Sequence, residues 1–256
     1  MVIIIPCYRP DGALLTLVRA LRGPDPDQRI VLVDDGSGPE YAHVFDAARG
    51  AGCDVLRYSQ NHGKGVALKR GLALIAAAHP GEDVVCADAD GQHTPADIRR
   101  VAGALADEPG SIVLGSRLFA GDVPARSRYG NALARMLFSA VTRTRLLDTQ
   151  TGLRGYPAAM LEWLRAVPGE RYEYELEVLL AAVRAGVPIV EVPIATVYLD
   201  GNRSSHFRLP WDPIRVYLPL LKSGRRPRLP LLPAADHRAM VSAATGGGSD
   251  DLHGAR

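Results

Sequence analysis

The feature that most constrains this chain is the regular succession, over residues 1–116, of short β-branched runs, polar loops and helical patterns. Residues 2–6, 29–34, 54–58, 82–88 and 111–116 read as buried strands from their density of Val, Ile and Leu. Between them, residues 14–21, a segment around 41–49, and the series Val66, Leu68, Leu72, Ile75 following Gly63 have helical periodicity. A further helix carries its own start signal. Thr94 can cap it, Pro95 suits the first helical position, and Ile98, Val101, Ala102 and Leu105 fall on one face. Strands separated by whole helices cannot pair as hairpins, so they are expected to run parallel with helices on both faces. The expected fold is α/β, a Rossmann-like sandwich around a mostly parallel central sheet.

In such a sheet, ligands bind beyond the carboxyl ends of the strands. The polar motifs lie where that rule requires them. Pro6-Cys7-Tyr8-Arg9 follows the first run, Asp34-Asp35-Gly36-Ser37 the second, and Asn61-His62-Gly63-Lys64-Gly65 the third. Asp88-Ala89-Asp90-Gly91-Gln92-His93 follows the fourth, and Gly115-Ser116-Arg117 the fifth. The second half is less regular. Residues 128–142 and 172–185 read as helices, and 187–192 and 194–199 as strands split by Pro193. Residues 229–256 lack periodicity and are expected to form a disordered tail.

At 256 residues the chain is near the upper limit for a single hydrophobic core, which argues for one main domain, set at residues 1–202. A net charge of +2 provides no argument for nucleic acid, and none is expected as a partner. Cys7, Cys53 and Cys86 are odd in number and lack CxxC spacing, so they are expected as buried thiols in a reducing compartment. Met1 leads directly into the first apolar run and no stretch of about 18 apolar residues occurs, so neither a leader nor a membrane span is expected. The expected address is cytoplasmic.

Asp88 and Asp90 close an otherwise apolar run, with Gln92 just beyond. Such hard oxygen donors suit Mg²⁺ or Mn²⁺ and leave room on the ion for substrate phosphates; an ordinary turn cap is the competing explanation. Asp34-Asp35 could accept from a nucleobase or a ribose hydroxyl, although the composition is also common in turns. A dinucleotide fold would need GxGxxG after the first strand, and Pro6-Cys7-Tyr8-Arg9-Pro10-Asp11-Gly12 lacks it. Asn61-His62-Gly63-Lys64-Gly65 lacks the spacing and the Ser/Thr of a nucleoside triphosphatase loop, while its glycines at a helix start still suit an anion. Arg117, Arg126, Arg128 and Arg154 offer planar forks for phosphate oxygens, or are surface charges. Residues 203–228 hold seven Lys/Arg (203, 208, 215, 222, 225, 226, 228) against Asp212 alone, interleaved with Phe207, Leu209 and Trp211. That pattern suits an anionic membrane surface, or a segment that packs back on the domain.

Taken in order, these motifs, together with Asp148-Thr149-Gln150-Thr151-Gly152-Leu153-Arg154 and Asn202-Arg203-Ser204-Ser205-His206-Phe207, resemble the family-2 glycosyltransferases with the GT-A fold. Within that family the chain is most similar to polyprenyl-phosphate sugar transferases of the dolichol-phosphate mannosyltransferase type, over about residues 1–222. The resemblance implies a GT-A-type sandwich and a UDP- or GDP-hexose donor held by Pro6, Tyr8, Asp35, Lys64, Asp88 and Ala89. It implies Mg²⁺ or Mn²⁺ on Asp88, Asp90 and Gln92, and donor or acceptor phosphates near Arg117, Arg128, Gln150, Arg154, Glu175, Arg203 and Ser204. Asp90, Arg117 and Asp148 would be the catalytic set, Asp148 occupying a motif in which other members place a base.

A lipid phosphate acceptor is largely ionised at neutral pH, its second pKa being about 6, and needs little help from a base. The expected reaction is inverting transfer to a polyprenyl phosphate, by an enzyme held peripherally on the inner face of the cell membrane. A family-2 transferase acting on a saccharide or small-molecule hydroxyl is the first alternative. A nucleotide-sugar-binding protein without catalysis is the second, and a nucleotidyltransferase lacks the loop it would need after the first strand.

Overall fold

The computed structural model describes residues 1–117 and 125–195, with the backbone alone for 125–130. The basic segment 203–228, the tail 229–256 and most of the expected strand 194–199 lie outside the described residues. The elements are β1 (Val2–Cys7), α1 (Gly12–Arg22), β2 (Arg29–Asp34), α2 (Ala42–Gly50), β3 (Asp54–Arg57), α3 (Lys64–Ala78) and β4 (Val84–Cys86). They continue with α4 (Pro95–Asp107), β5 (Ile112–Arg117), α5 (Ala125–Thr142), β6 (Arg154–Tyr156), α6 (Leu161–Ala166), α7 (Glu173–Ala185) and β7 (Ile189–Ile194).

The strands form one sheet in the order β3-β2-β1-β4-β6-β5-β7. Along β1, alternate side chains serve opposite faces, as the pleat demands. Val2 and Ile4 pack with Leu68, Leu72 and Ile75 of α3 and with α6 and α7. Ile3 and Ile5 pack with Leu14 and Val18 of α1, Phe45 of α2, and Ile98 and Val101 of α4. Burying each of these aliphatic side chains contributes about 1.5–3 kcal/mol, so β1, covered on both faces, is the axis of the domain. As expected from the sequence, Thr94 caps α4: its Oγ1 accepts from the Asp97 N–H at 3.1 Å. All three cysteines are buried and free.

The sheet departs from the sequence-based expectation at two places. First, β6 was not foreseen. It runs antiparallel between β4 and β5, with Arg154 opposite both Cys86 and Leu114. Its three residues have no β-branched member and derive their strand pairing from two flanking partners, which no local pattern encodes. Being antiparallel, β6 begins where β4 and β5 end, so the polar segment 148–153 enters the ligand-binding edge between them. Second, Pro193 does not break its strand. β7 is the outermost strand on its side among the described residues and continues through Pro193 to Ile194, paired with Ser116 and Arg117 of β5. A proline is tolerated there because an outer strand can leave one N–H position unused.

Strand order reverses at β1. β2 and β3 extend to one side, β4 and the later strands to the other. The crevice beyond the carboxyl ends of β1 and β4 is therefore the topological switch point, where an open α/β sheet holds its ligand. No helix among the described residues is long and apolar enough to cross a membrane.

Candidate active site

Asp88 stands one residue past the buried Ala87, just beyond β4, and two helix starts converge on it. Lys64, the first residue of α3, places Nζ 2.6 Å from Asp88 Oδ1 and 3.0 Å from Glu175 Oε1 in the first turn of α7. His93 Nε2 lies 3.3 Å from Asp88 Oδ2. The pair is electrostatically locked. Burial disfavours the Lys64 charge, but Asp88 and then Glu175 outweigh it and hold the ammonium well above its ordinary pKa. Burial likewise opposes ionisation of Asp88, yet Lys64 and then His93 hold that carboxyl well below its usual range.

Asp90 is in the opposite situation. Burial, then the charge of Asp88, pushes its pKa above the ordinary value, and the Gln92 N–H donating to its Oδ1 at 3.0 Å only partly offsets them. Two crowded carboxylates, one of them poorly compensated, are what a divalent cation relieves, so the residues fit Mg²⁺ or Mn²⁺. Among the described residues no three His, Cys, Asp or Glu side chains are gathered into a ready-made cage. Such an ion would thus take part of its shell from phosphate and water, as Mg²⁺ commonly does.

Gly152, which in sequence is only one member of the Asp148–Arg154 motif, completes this cluster. A Cβ there would lie 2.1 Å from Asp88 Oδ2, so the segment before β6 can close on the carboxylate only because residue 152 has no side chain. His93 is likewise an addition. It is 5% exposed, and its Nδ1 has no hydrogen-bond partner among the described residues.

Just past β2, Asp35 is buried, and its two oxygens accept the His62 and Gly63 N–H groups at 2.8 and 2.7 Å. The carboxylate ties the loop after β3 to the loop after β2 and so sets the start of α3 where Lys64 sits. Gly63 is required at this turn: its φ is +104°, and a Cβ would meet the Glu170 carbonyl at 2.6 Å. Pro6, near the end of β1, and Tyr8, just past it, are half-buried, with the Arg9 guanidinium 5.2 Å from the Tyr8 ring centroid.

A second cluster lies past β5. Arg117 grips Asp148 with its fork, Nε to Oδ2 at 2.6 Å and Nη2 to Oδ1 at 3.1 Å. Asp148 is fully buried, and its Oδ1 also accepts the Gln150 N–H at 3.0 Å. Glu191 of β7, absent from the expected set, underpins the pair. Its carboxylate accepts the Leu147 N–H at 2.8 Å and the Asp148 N–H at 3.2 Å. Segment 148–152 thus spans from the Arg117 fork to the Asp88 carboxylate and joins the clusters.

Arg154 does not sit where a phosphate contact was expected. It is 1% exposed, and its guanidinium donates to the carbonyls of Thr151 (2.9 Å), Glu175 (2.6 Å) and Thr149 (3.3 Å). Each of its three nitrogens donates to a backbone carbonyl, so it braces the segment before β6 against α7. Arg203, Ser204 and the Arg128 side chain lie outside the described residues.

The family model for glycosyl transferase family 2 matches residues 2–165. The chain is 30% identical to the undecaprenyl-phosphate mannosyltransferase of Micrococcus luteus over 203 residues, 76% of this chain and 82% of that protein. It is 28% identical to the UDP-N-acetylglucosamine–dolichyl-phosphate N-acetylglucosaminyltransferase of Methanococcus voltae over 219 residues, covering 77% and 86% of the two chains. Among solved structures, glucosyl-3-phosphoglycerate synthase from Mycobacterium tuberculosis, in complex with Mn²⁺, UDP and glucosyl-3-phosphoglycerate, superposes with a TM-score of 0.65 at 21% identity. That match covers 91% of this chain and 81% of the other, and is a likeness of fold.

Proposed function

The chain belongs to glycosyl transferase family 2, and on that premise we propose that it moves a hexose from a UDP- or GDP-sugar to a polyprenyl phosphate, with inversion at the anomeric carbon. The observation that carries the acceptor half is the state of Asp148. A hydroxyl acceptor needs a base with a free oxygen turned towards it. Asp148 is fully buried, both oxygens committed to Arg117 and one also to the Gln150 N–H. A carboxylate so placed is suited to holding an arginine in position, and an ionised phosphate needs only that arginine. The names of the two relatives, acting on undecaprenyl and dolichyl phosphate, support the same class of acceptor.

In this reading a phosphate oxygen attacks the anomeric carbon, the bond to the donor's diphosphate oxygen breaks, and the nucleoside diphosphate departs. Pro6, Tyr8 and Asp35 would hold the nucleoside, with Lys64 beside it and Asp88 and Ala89 also on the donor. Asp88, Asp90 and Gln92 are the residues that would hold Mg²⁺ or Mn²⁺, which when bound supplies positive charge to the departing diphosphate. The catalytic domain comprises residues 1–202, with 203–228 as a segment resting on the inner face of the cell membrane. The test is a panel of UDP- and GDP-hexoses with Mn²⁺ and a polyprenyl phosphate, scored by lipid-linked sugar. Transfer to saccharide or small-molecule hydroxyls with none to polyprenyl phosphate would replace this reading with the hydroxyl one.

A further inference from the structure

Both oxygens of Asp88 are engaged by the protein itself, but not in the same way. On one side, His93 Nε2 stands 3.3 Å from Oδ2, and Gly152 closes on that oxygen so tightly that a Cβ there would lie 2.1 Å from it. This side is walled by a buried ring and by backbone, and no single side chain can swing away to open it. Oδ1 is different. Its partner is one side chain, the Lys64 ammonium at 2.6 Å. Lysine is a compact charge on a flexible four-carbon stem, and Lys64 has a second acid in reach, Glu175 Oε1 at 3.0 Å. It can therefore release Asp88 and stay paired, which matters because a buried charge left without a partner is costly.

With Lys64 in place, Asp88 and Glu175 share one ammonium, and Asp90 receives the Gln92 N–H at 3.0 Å. The two aspartates thus present less negative charge to a bare ion than their spacing in sequence suggests. A nucleoside diphosphate changes the balance. Its phosphate oxygens offer the ammonium a third anion, and they supply a divalent ion with further ligands.

We propose that Lys64 is a resident counter-ion of the site, holding Asp88 Oδ1 while the crevice is free of nucleotide. When a nucleoside diphosphate enters, Lys64 keeps Glu175 and turns from Asp88 to the diphosphate. That exchange opens Asp88 to the divalent ion, so ion and nucleotide each strengthen the binding of the other, and Lys64 carries the coupling. The role rests on the donor and ion assignments of the proposed function and is independent of the acceptor.

The experiment measures Mn²⁺ binding to the full chain by the electron paramagnetic resonance of the free ion, in wild type and in K64M/E175Q. Each is titrated alone and with UDP or GDP, against a protein-free mixture of ion and nucleotide as baseline. The double variant loses one positive and one negative side chain, so a change in affinity does not arise from a change in net charge. Without nucleotide it is expected to bind Mn²⁺ at least about tenfold more tightly than wild type, within the usual range of coupling between sites. Nucleotide should tighten Mn²⁺ binding to wild type by at least about tenfold, and to the variant by clearly less. A folded K64M/E175Q that binds Mn²⁺ no more tightly than wild type overturns the proposal. So does wild-type binding that neither UDP nor GDP strengthens, a result that needs no variant. Transfer assays separate this role from the reaction. If the variant gains Mn²⁺ affinity while wild type uses neither UDP- nor GDP-hexoses, the counter-ion stands and the reaction falls. If wild type makes lipid-linked sugar and the variant shows no gain, the reaction stands and the counter-ion falls.

Discussion

Asp90 and Asp148 are both carboxylates of the site, yet their surroundings assign them opposite tasks. Asp90 is crowded by Asp88, and its ionised form is disfavoured by burial, a condition that a bound cation relieves. Asp90→Ala is therefore expected to lower transfer at least about a hundredfold, measured with saturating donor in metal-stripped buffer resupplied with Mn²⁺. Near-normal turnover would remove the metal assignment. Asp148 is compensated by Arg117 and turned away from solvent. Loss of a true general base costs about 10²- to 10⁴-fold, so Asp148→Asn should fall short of that range, within about tenfold of wild type. A loss inside it would make Asp148 the base and favour a hydroxyl acceptor. At this scale the sequence pointed to acidic positions that the fold brings to the strand ends, while Arg154, expected near a phosphate, is buried against backbone carbonyls. One arginine looks like another in sequence, and only the carbonyls of Thr149, Thr151 and Glu175 around it distinguish a brace from a ligand contact.

Among the elements, the segment before β6 matters most. It was legible in sequence as a polar run with no simple turn explanation, while the strand it leads into was not. Three residues without a β-branched member carry no periodicity; their pairing comes from β4 and β5, distant in sequence. Gly152 is where this segment meets the site. Gly152→Ala would drive a methyl into the Asp88 carboxylate and is expected to destabilise the fold by about 1–3 kcal/mol, read by urea unfolding. Because the Lys64–Asp88 contact must shift as well, donor KM should rise more than the stability loss explains. An unchanged donor KM would mean that the segment can retreat without disturbing Asp88. Pro193 teaches the converse lesson. In sequence it reads as a strand breaker, and only the outer position of β7 makes it harmless.

For the whole molecule, the arrangement of strands sets the logic of the site. Four loops from different strands, and the first turns of α3 and α7, meet at the switch point, and under the proposed function donor and ion would complete the site together. Mn²⁺ and the cognate nucleoside diphosphate together should then raise Tm by about 5–10 °C at concentrations near a hundred times Kd, the shift expected from about 2.7 kcal/mol in a domain of this size. Neither alone should do so fully, and Asp90→Ala should remove most of the joint effect. A joint shift equal to that of nucleotide alone would speak against a shared metal, and comparing UDP with GDP identifies the donor base. The sequence by itself determined the α/β sandwich and the strand ends on which the motifs sit, because periodicity, capping and turn chemistry are local and survive in one dimension, and the order of its motifs carried the resemblance to the family. Only the tertiary structure decided that α7 delivers Glu175 to Lys64, that Glu191 supports Asp148 and that Gly152 touches Asp88. Each of these is a contact between segments far apart in the chain, set by sheet order and packing, which no local pattern of residues records.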